Sequence, residues 1–237
     1  MTDAPGSTNG PERGTPRALR PGYAAELDQL HLQVELMAVR VDQNLERTRT
    51  VLQTGDLALA DQAIAADDDI DAMSVSLTER CYDLLAREQP VAGDLRFVVS
   101  VLRVLGEFER IGDLALRVVK LAPDFALLTR NASTYDLLLA MADAAIDRYR
   151  EAMRAWSGPS AELARHLLET PSIAGHLEER LTTELVALQG SGAAAVAIRT
   201  LVAGKSLERI ADHAGIIGAR LLFLVTGDAG HLAHEVR

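Results

Sequence analysis

From Tyr23 onward, apolar side chains recur at three- and four-residue steps: Leu27, Leu30, Val34, Met37, Val41, Leu45 and Val51. That spacing puts them on one face of an α-helix. Thr54-Gly55-Asp56 closes the helix, with glycine for the turn and aspartate as the next N-cap. The pattern resumes over 57–87, stops at Gln89-Pro90, and resumes over 91–121 before Pro123. It then starts again. A fourth helix is expected over 133–155, followed by the turn and cap Ser157-Gly158-Pro159-Ser160. A fifth is expected over 161–188, kinked at Pro171. Gly190-Ser191-Gly192 separates it from a sixth over 193–225, which Thr226-Gly227-Asp228 ends. Short connections make sequential helices antiparallel neighbours. The chain is therefore expected to be all-α, with two tandem antiparallel three-helix bundles over 21–124 and 131–228. Residues 229–237 read as a short polar tail. Residues 1–20 carry Gly, Pro, Thr and Arg without periodicity and read as a disordered tail.

Composition narrows the function classes. Apolar residues make up 48% of the chain and aromatics only 4%, so the core is built from the aliphatic side chains that suit helices. The net charge of -10 repels phosphodiester backbones and argues against nucleic acid as a partner. The single cysteine, Cys81, cannot form an internal disulfide and fits a reducing, cytoplasmic compartment. There is no apolar leader, and the most apolar stretch, 214–225, is short and carries Arg220. Any association with a membrane would run through a membrane protein.

The two halves share a signature. Glu109-Arg110-Ile111-Gly112-Asp113-Leu114-Ala115 in the third helix is matched by Glu208-Arg209-Ile210-Ala211-Asp212-His213-Ala214 in the sixth. The offset is 99 residues and five of the seven positions are identical, which points to an internal duplication. Four residues advance a helix by about 400°, so Glu109 and Asp113 share a face, as do Glu208 and Asp212. Like charges at this spacing repel by about 0.2–0.5 kcal/mol in an isolated helix. The preceding turns of the third helix are apolar nearly all round, so carboxylates near them need a cation or hydrogen-bond donors.

Two sources of positive charge are open. Arg110 and Arg209 can each pair with the aspartate three residues on. Alternatively, a metal ion (magnesium, manganese, iron or zinc) can be held by the stacked carboxylate oxygens. Asp67 and Asp71 on the second helix are also four apart on one face, well inside the helix. With Glu109 and Asp113 they would make a four-carboxylate cluster. In the second half Thr170 and Ala174 are expected in the places of Asp67 and Asp71. A second site of Glu208 and Asp212, with His176 or His213, should therefore be the weaker one. A histidine beside a carboxylate is more often a hydrogen-bond partner than a ligand.

Enzyme signatures are absent from the sequence. There is no G-x-S-x-G, no P-loop and no cysteine pair. A carboxylate-bridged oxidase would need Glu-x-x-His pairs, and no histidine has Glu three residues before it. No glycine-rich loop of the kind that cradles phosphate is present, so direct phosphate binding is not expected from the motifs.

Gln89-Pro90-Val91-Ala92-Gly93-Asp94-Leu95-Arg96 resembles the QPxAxDLR turn of the PhoU family of phosphate-uptake regulators. The resemblance continues through Glu107-Phe108-Glu109-Arg110-Ile111-Gly112-Asp113, recurs at 206–213, and closes on Phe223-Leu224-Val225-Thr226-Gly227, covering about residues 23–228. It implies a cytoplasmic, two-bundle, often homodimeric protein that is not an enzyme. Such a protein restrains phosphate uptake and phosphate-starvation signalling by contact with the phosphate ABC transporter and a phosphate-sensing histidine kinase. It also implies metal clusters on the repeated acidic faces, which fall here on Asp67, Asp71, Glu109, Asp113, Glu208 and Asp212. Thr170, Ala174 and Ala211 depart from the pattern and weaken the second cluster. The alternative is a metal-binding helical scaffold or adaptor with no role in phosphate handling.

Overall fold

The computed structural model describes residues 21–236, so the tail expected over 1–20 lies outside the described residues. The helices are α1 (Pro21–Thr54), α2 (Leu57–Glu88), α3 (Ala92–Val119), α4 (Phe125–Leu128), α5 (Ala132–Ser157), α6 (Ala161–Glu169), α7 (Ile173–Ala187) and α8 (Ala193–Thr226). Short 3-10 turns at Ala122–Asp124 and Ala229–Val236 complete the described chain. The second of these takes up part of the stretch read as a polar tail.

Local chemistry sets the boundaries. Gly55 adopts φ +68° after α1, and its missing side chain admits Phe125, whose Cγ would lie 2.5 Å from a Cβ there. The Asp56 carboxylate accepts from the Ala58 and Leu59 amides and caps α2. Asn131 caps α5 through the Thr134 amide, and Ser160 caps α6 through the Leu163 amide. Gly227, at φ +75°, ends α8.

The fifth helix is broken rather than kinked. α6 ends at Glu169 and α7 starts at Ile173. Thr170, forced toward extended backbone by the following proline, sits at φ -87°, ψ 119°. Pro171 has no N–H for the Leu167 carbonyl, and Arg148 of α5 donates to that carbonyl instead.

The repeats pack side by side. α3 lies against α8 and α1 against α5, so these four helices form the centre. α2 flanks the first repeat, and α6 with α7 flanks the second. One continuous apolar core runs through both halves, with Val101, Phe108 and Ile111 of α3 and Ile210, Ala214 and Ile217 of α8 all fully buried. The buried Tyr149 hydroxyl of α5 donates to the Ala38 carbonyl of α1 at 2.8 Å. At the surface, Arg150 holds Asp42 and Glu46, and Arg49 holds Asp143. Glu109 and Glu208 fall on α3 and α8, the third helix of each repeat. Among the described residues, no helix is long and apolar enough to cross a membrane.

Candidate functional site

The acidic residues of the first repeat meet where α2 crosses α3. Asp67 is 6% exposed and faces Gly112, where a Cβ would come within 2.5 Å of Asp67 Oδ1. The glycine of the first E-R-I-G-D motif therefore makes room for a carboxylate from the neighbouring helix. Oδ1 has no hydrogen-bond partner among the described residues. Burial, then the charges of Asp71, Asp113 and Asp68, push the Asp67 carboxyl from 3.8 up to about 6, against the pull of Lys120. Asp71, one turn on, is also raised, first by burial and then by Asp113 and Asp68. The charge of Asp113 on α3 thus raises both aspartates of α2, and Asp71 raises Asp67 one turn away. Glu109 is exposed one turn before Asp113, and the carboxylates that raise Asp67 and Asp71 do not include it.

Arginine pairing takes a different course from the one expected. Arg110 bonds backwards: its Nη1 donates to Glu107 Oε1 at 2.6 Å rather than to Asp113. Glu107 also holds His213 of α8, at 2.6 Å from Oε2 to Nδ1, so this histidine has a carboxylate partner from the other repeat. Asp212 is exposed, and among the described residues it makes no ion pair with Arg209. Its charge acts on Arg148 instead.

The second repeat is neutralised by a lysine. Lys205 Nζ stands 2.9 Å from Glu178 Oε1 and 3.0 Å from Glu208 Oε2. Burial opposes ionisation of Glu178, but hydrogen bonds from Thr182 and Lys205 outweigh it and hold the carboxyl below its ordinary range. Packing also corrects the register. A Cβ at Gly204 would meet Leu181, and one at Gly218 would meet Leu167. Counting along these antiparallel helices places Ala174 opposite Ala211, as Asp67 stands opposite Gly112. Ala174 is thus the counterpart of Asp67, and Glu178 that of Asp71. Thr170 and Ala174 are one turn off as counterparts of Asp67 and Asp71, because α7 ends at Ala187, about two turns sooner after this point than α2 ends at Glu88. Glu107 and Lys205 go unmarked as site residues in the sequence, and Glu178 reads there only as an acid near the second site. Lys205, three residues before Glu208, was the one visible signal.

Among the described residues, no three His, Cys, Asp or Glu side chains already converge on one point in metal-ligating geometry. The donor chemistry of the first repeat nevertheless suits a hard cation, since a buried carboxylate oxygen lacks a donor and Asp67 and Asp71 are both raised by burial and by the charge of Asp113. The second repeat suits one poorly. An alanine replaces the buried aspartate, and an ammonium group already occupies the space between Glu178 and Glu208.

The PhoU domain family matches residues 34–122 and again 138–221. The chain belongs to the PhoU family. It is 30% identical over 213 residues to the phosphate-specific transport system accessory protein PhoU homolog 2 of Mycobacterium tuberculosis, covering 88% of this chain and 99% of that one. It superposes on the crystal structure of PhoU from Pseudomonas aeruginosa with a TM-score of 0.82 and 28% identity, covering 87% of this chain and 100% of that one. The phosphate transport system regulatory protein PhoU from Streptococcus pneumoniae shares the fold, with a TM-score of 0.78 and 24% identity over 87% of this chain and 98% of that one. The two family matches fall on the two halves that the repeated E-R-I-x-D motif defines, and these PhoU relatives carry names of accessory and regulatory proteins, not of enzymes.

Proposed function

We propose that this chain is an accessory regulator of a phosphate-specific transport system. It restrains phosphate uptake and phosphate-starvation signalling from the cytoplasmic side, through contact with the phosphate ABC transporter and a phosphate-sensing histidine kinase. The duplicated PhoU match over most of the chain carries this reading, together with near full-length relatives named for such a system. Its chemistry agrees with a protein that works by contact: α1 presents Leu32, Leu36 and Val39 as an exposed apolar row, 63%, 51% and 51% exposed. The same row supports a homodimer. A divalent or iron-type metal ion on Asp67, Asp71 and Asp113, with Glu109 at the edge, is part of the proposal. It would neutralise an acidic face whose carboxylates, among the described residues, form no ion pair with a lysine or arginine.

Deletion in the source organism tests the regulatory role. Phosphate-starvation genes should rise in phosphate-replete medium, and tagged protein should co-purify the transporter ATPase subunit and the kinase. Unchanged reporter output in a strain lacking every paralogue, with neither partner recovered, would refute it.

A further inference from the structure

The contact between α3 and α8 carries a second feature, opposite in charge to the acidic face. The two E-R-I-x-D motifs cross there. Glu107 meets His213 across the interface, and Arg110 and Arg209 line one groove, so the two helices run antiparallel with the equivalent arginines close to the crossing point. The groove has a volume of about 180 Å³ and is lined by Arg110, Asp113, Leu114, Arg117, Arg209 and His213.

The charge balance in this groove is unusual for a chain of net charge -10. Arg110 uses one nitrogen on Glu107, leaving the rest of its fork. Arg117 and Arg209 are exposed and make no ion pair or side-chain hydrogen bond with any described residue. Glu107 is already divided between Arg110 and His213. Asp113 is the remaining carboxylate on the lining, and it also faces Asp67 and Asp71. Three guanidinium groups from two repeats therefore face a small groove with fewer anions than cations. Guanidinium groups stay charged under all ordinary conditions, so the groove keeps its positive charge and attracts anions. Glu107 is 7% exposed and fixes both Arg110 and the ring of His213. Its carboxylate accepts from Nδ1, which leaves Nε2 as the other polar atom of that ring.

We propose that this groove binds a small phosphoryl-bearing oxyanion, held by the forks of Arg110, Arg117 and Arg209 across the junction of the two repeats. Tetrahedral phosphoryl oxygens match paired guanidinium N–H groups, and bidentate arginine recognition requires no glycine-rich loop. This is why the motifs that predict phosphate cradles are silent here. A ligand at this place touches both repeats and so couples their packing. The anion has two chemical sources, free phosphate or pyrophosphate, and the phosphate groups of a nucleotide.

The test is calorimetric titration of the full chain at low salt with inorganic phosphate, pyrophosphate and ADP in separate arms. Saturable binding is expected in at least one arm. Pyrophosphate binding tighter than ADP assigns the free oxyanion, and the reverse assigns the nucleotide; either supports the site. Arg117→Ala with Arg209→Ala should weaken binding at least about tenfold. Arg209→Lys, which keeps the charge but loses the fork, should weaken it several-fold. Arg180→Ala, on the exposed face of α7, should leave it unchanged. All three arginines are exposed, so the variants should fold, as circular dichroism would check. No saturable binding in any arm overturns the proposal. So does equal weakening by Arg180→Ala, or binding of a phosphorylated peptide with none of the three small anions. Transporter association is measured separately and stands or falls on its own.

Discussion

Asp67 on α2 rests against Gly112 on α3 so closely that no side chain fits between the helices at that point. The repeat places Ala211 at the equivalent position of α8, the antiparallel register sets Ala174 opposite it, and both alanines are buried. Gly112→Ala should therefore push the buried carboxylate or its helix aside and cost roughly 1–3 kcal/mol, as overpacking does. Ala211→Gly should cost only about 1 kcal/mol, the helix propensity difference. Urea unfolding of both variants checks the contrast, and equal losses would contradict it.

Asp67 also makes stability depend on pH. Its folded pKa, about 6, lies above its ordinary 3.8, so the folded chain holds this proton to higher pH than the unfolded chain does. The stability this contributes is present below about pH 4 and is lost as pH rises through about 6. In chelator-treated protein, Asp67→Asn should gain roughly 1–2 kcal/mol at pH 7.5, less than the full linkage value because the cluster's edge is open to water. The same variant should flatten the fall in stability between pH 4 and 6. A variant less stable than wild type at pH 7.5 would show instead that the ionised carboxylate is satisfied.

Metal uptake should differ between the repeats. Glu109→Gln with Asp113→Asn should abolish most bound manganese, iron or zinc, while Glu208→Gln with Asp212→Asn should remove little. Lys205 fills the second face, so Lys205→Met should free Glu178 and Glu208 and raise uptake above wild type. Elemental analysis of folded, reconstituted protein reads all three. Equal loss from the two double variants would overturn the asymmetry, and no metal in wild type would return the first face to an uncompensated acidic surface.

Arg148 and Pro171 act as a pair. The proline removes the amide that would serve the Leu167 carbonyl, and the arginine replaces it. Arg148→Met should cost about 1–3 kcal/mol, the penalty for a buried acceptor left without a donor. In a Pro171→Ala background, where the amide returns and the helix can close, the same change should cost clearly less. A double-mutant cycle measured by denaturant unfolding reports the coupling, and simple additivity would mean that the break has another cause.

The sequence by itself determined the helices, their order and the duplication. Those are local quantities: periodicity, caps, glycine and proline breaks, and a motif repeated at a fixed offset. It also marked Asp67 and Asp71, and Glu109 and Asp113, as candidates for one acidic face, because i,i+4 spacing puts each pair on one side of its helix. Only the tertiary structure decided what lay between helices. Antiparallel register across α6, α7 and α8 depends on which side chains fill which gaps, so Glu178 rather than Ala174 stands where Asp71 does. Arg110 turned to Glu107 rather than Asp113 because Glu107 is buried against His213 of the other repeat, a neighbour more than a hundred residues away. Local spacing says which side chains can reach one another. The packing of α3 on α8 says which of them do, because it fixes which charges lose their water and must find a partner.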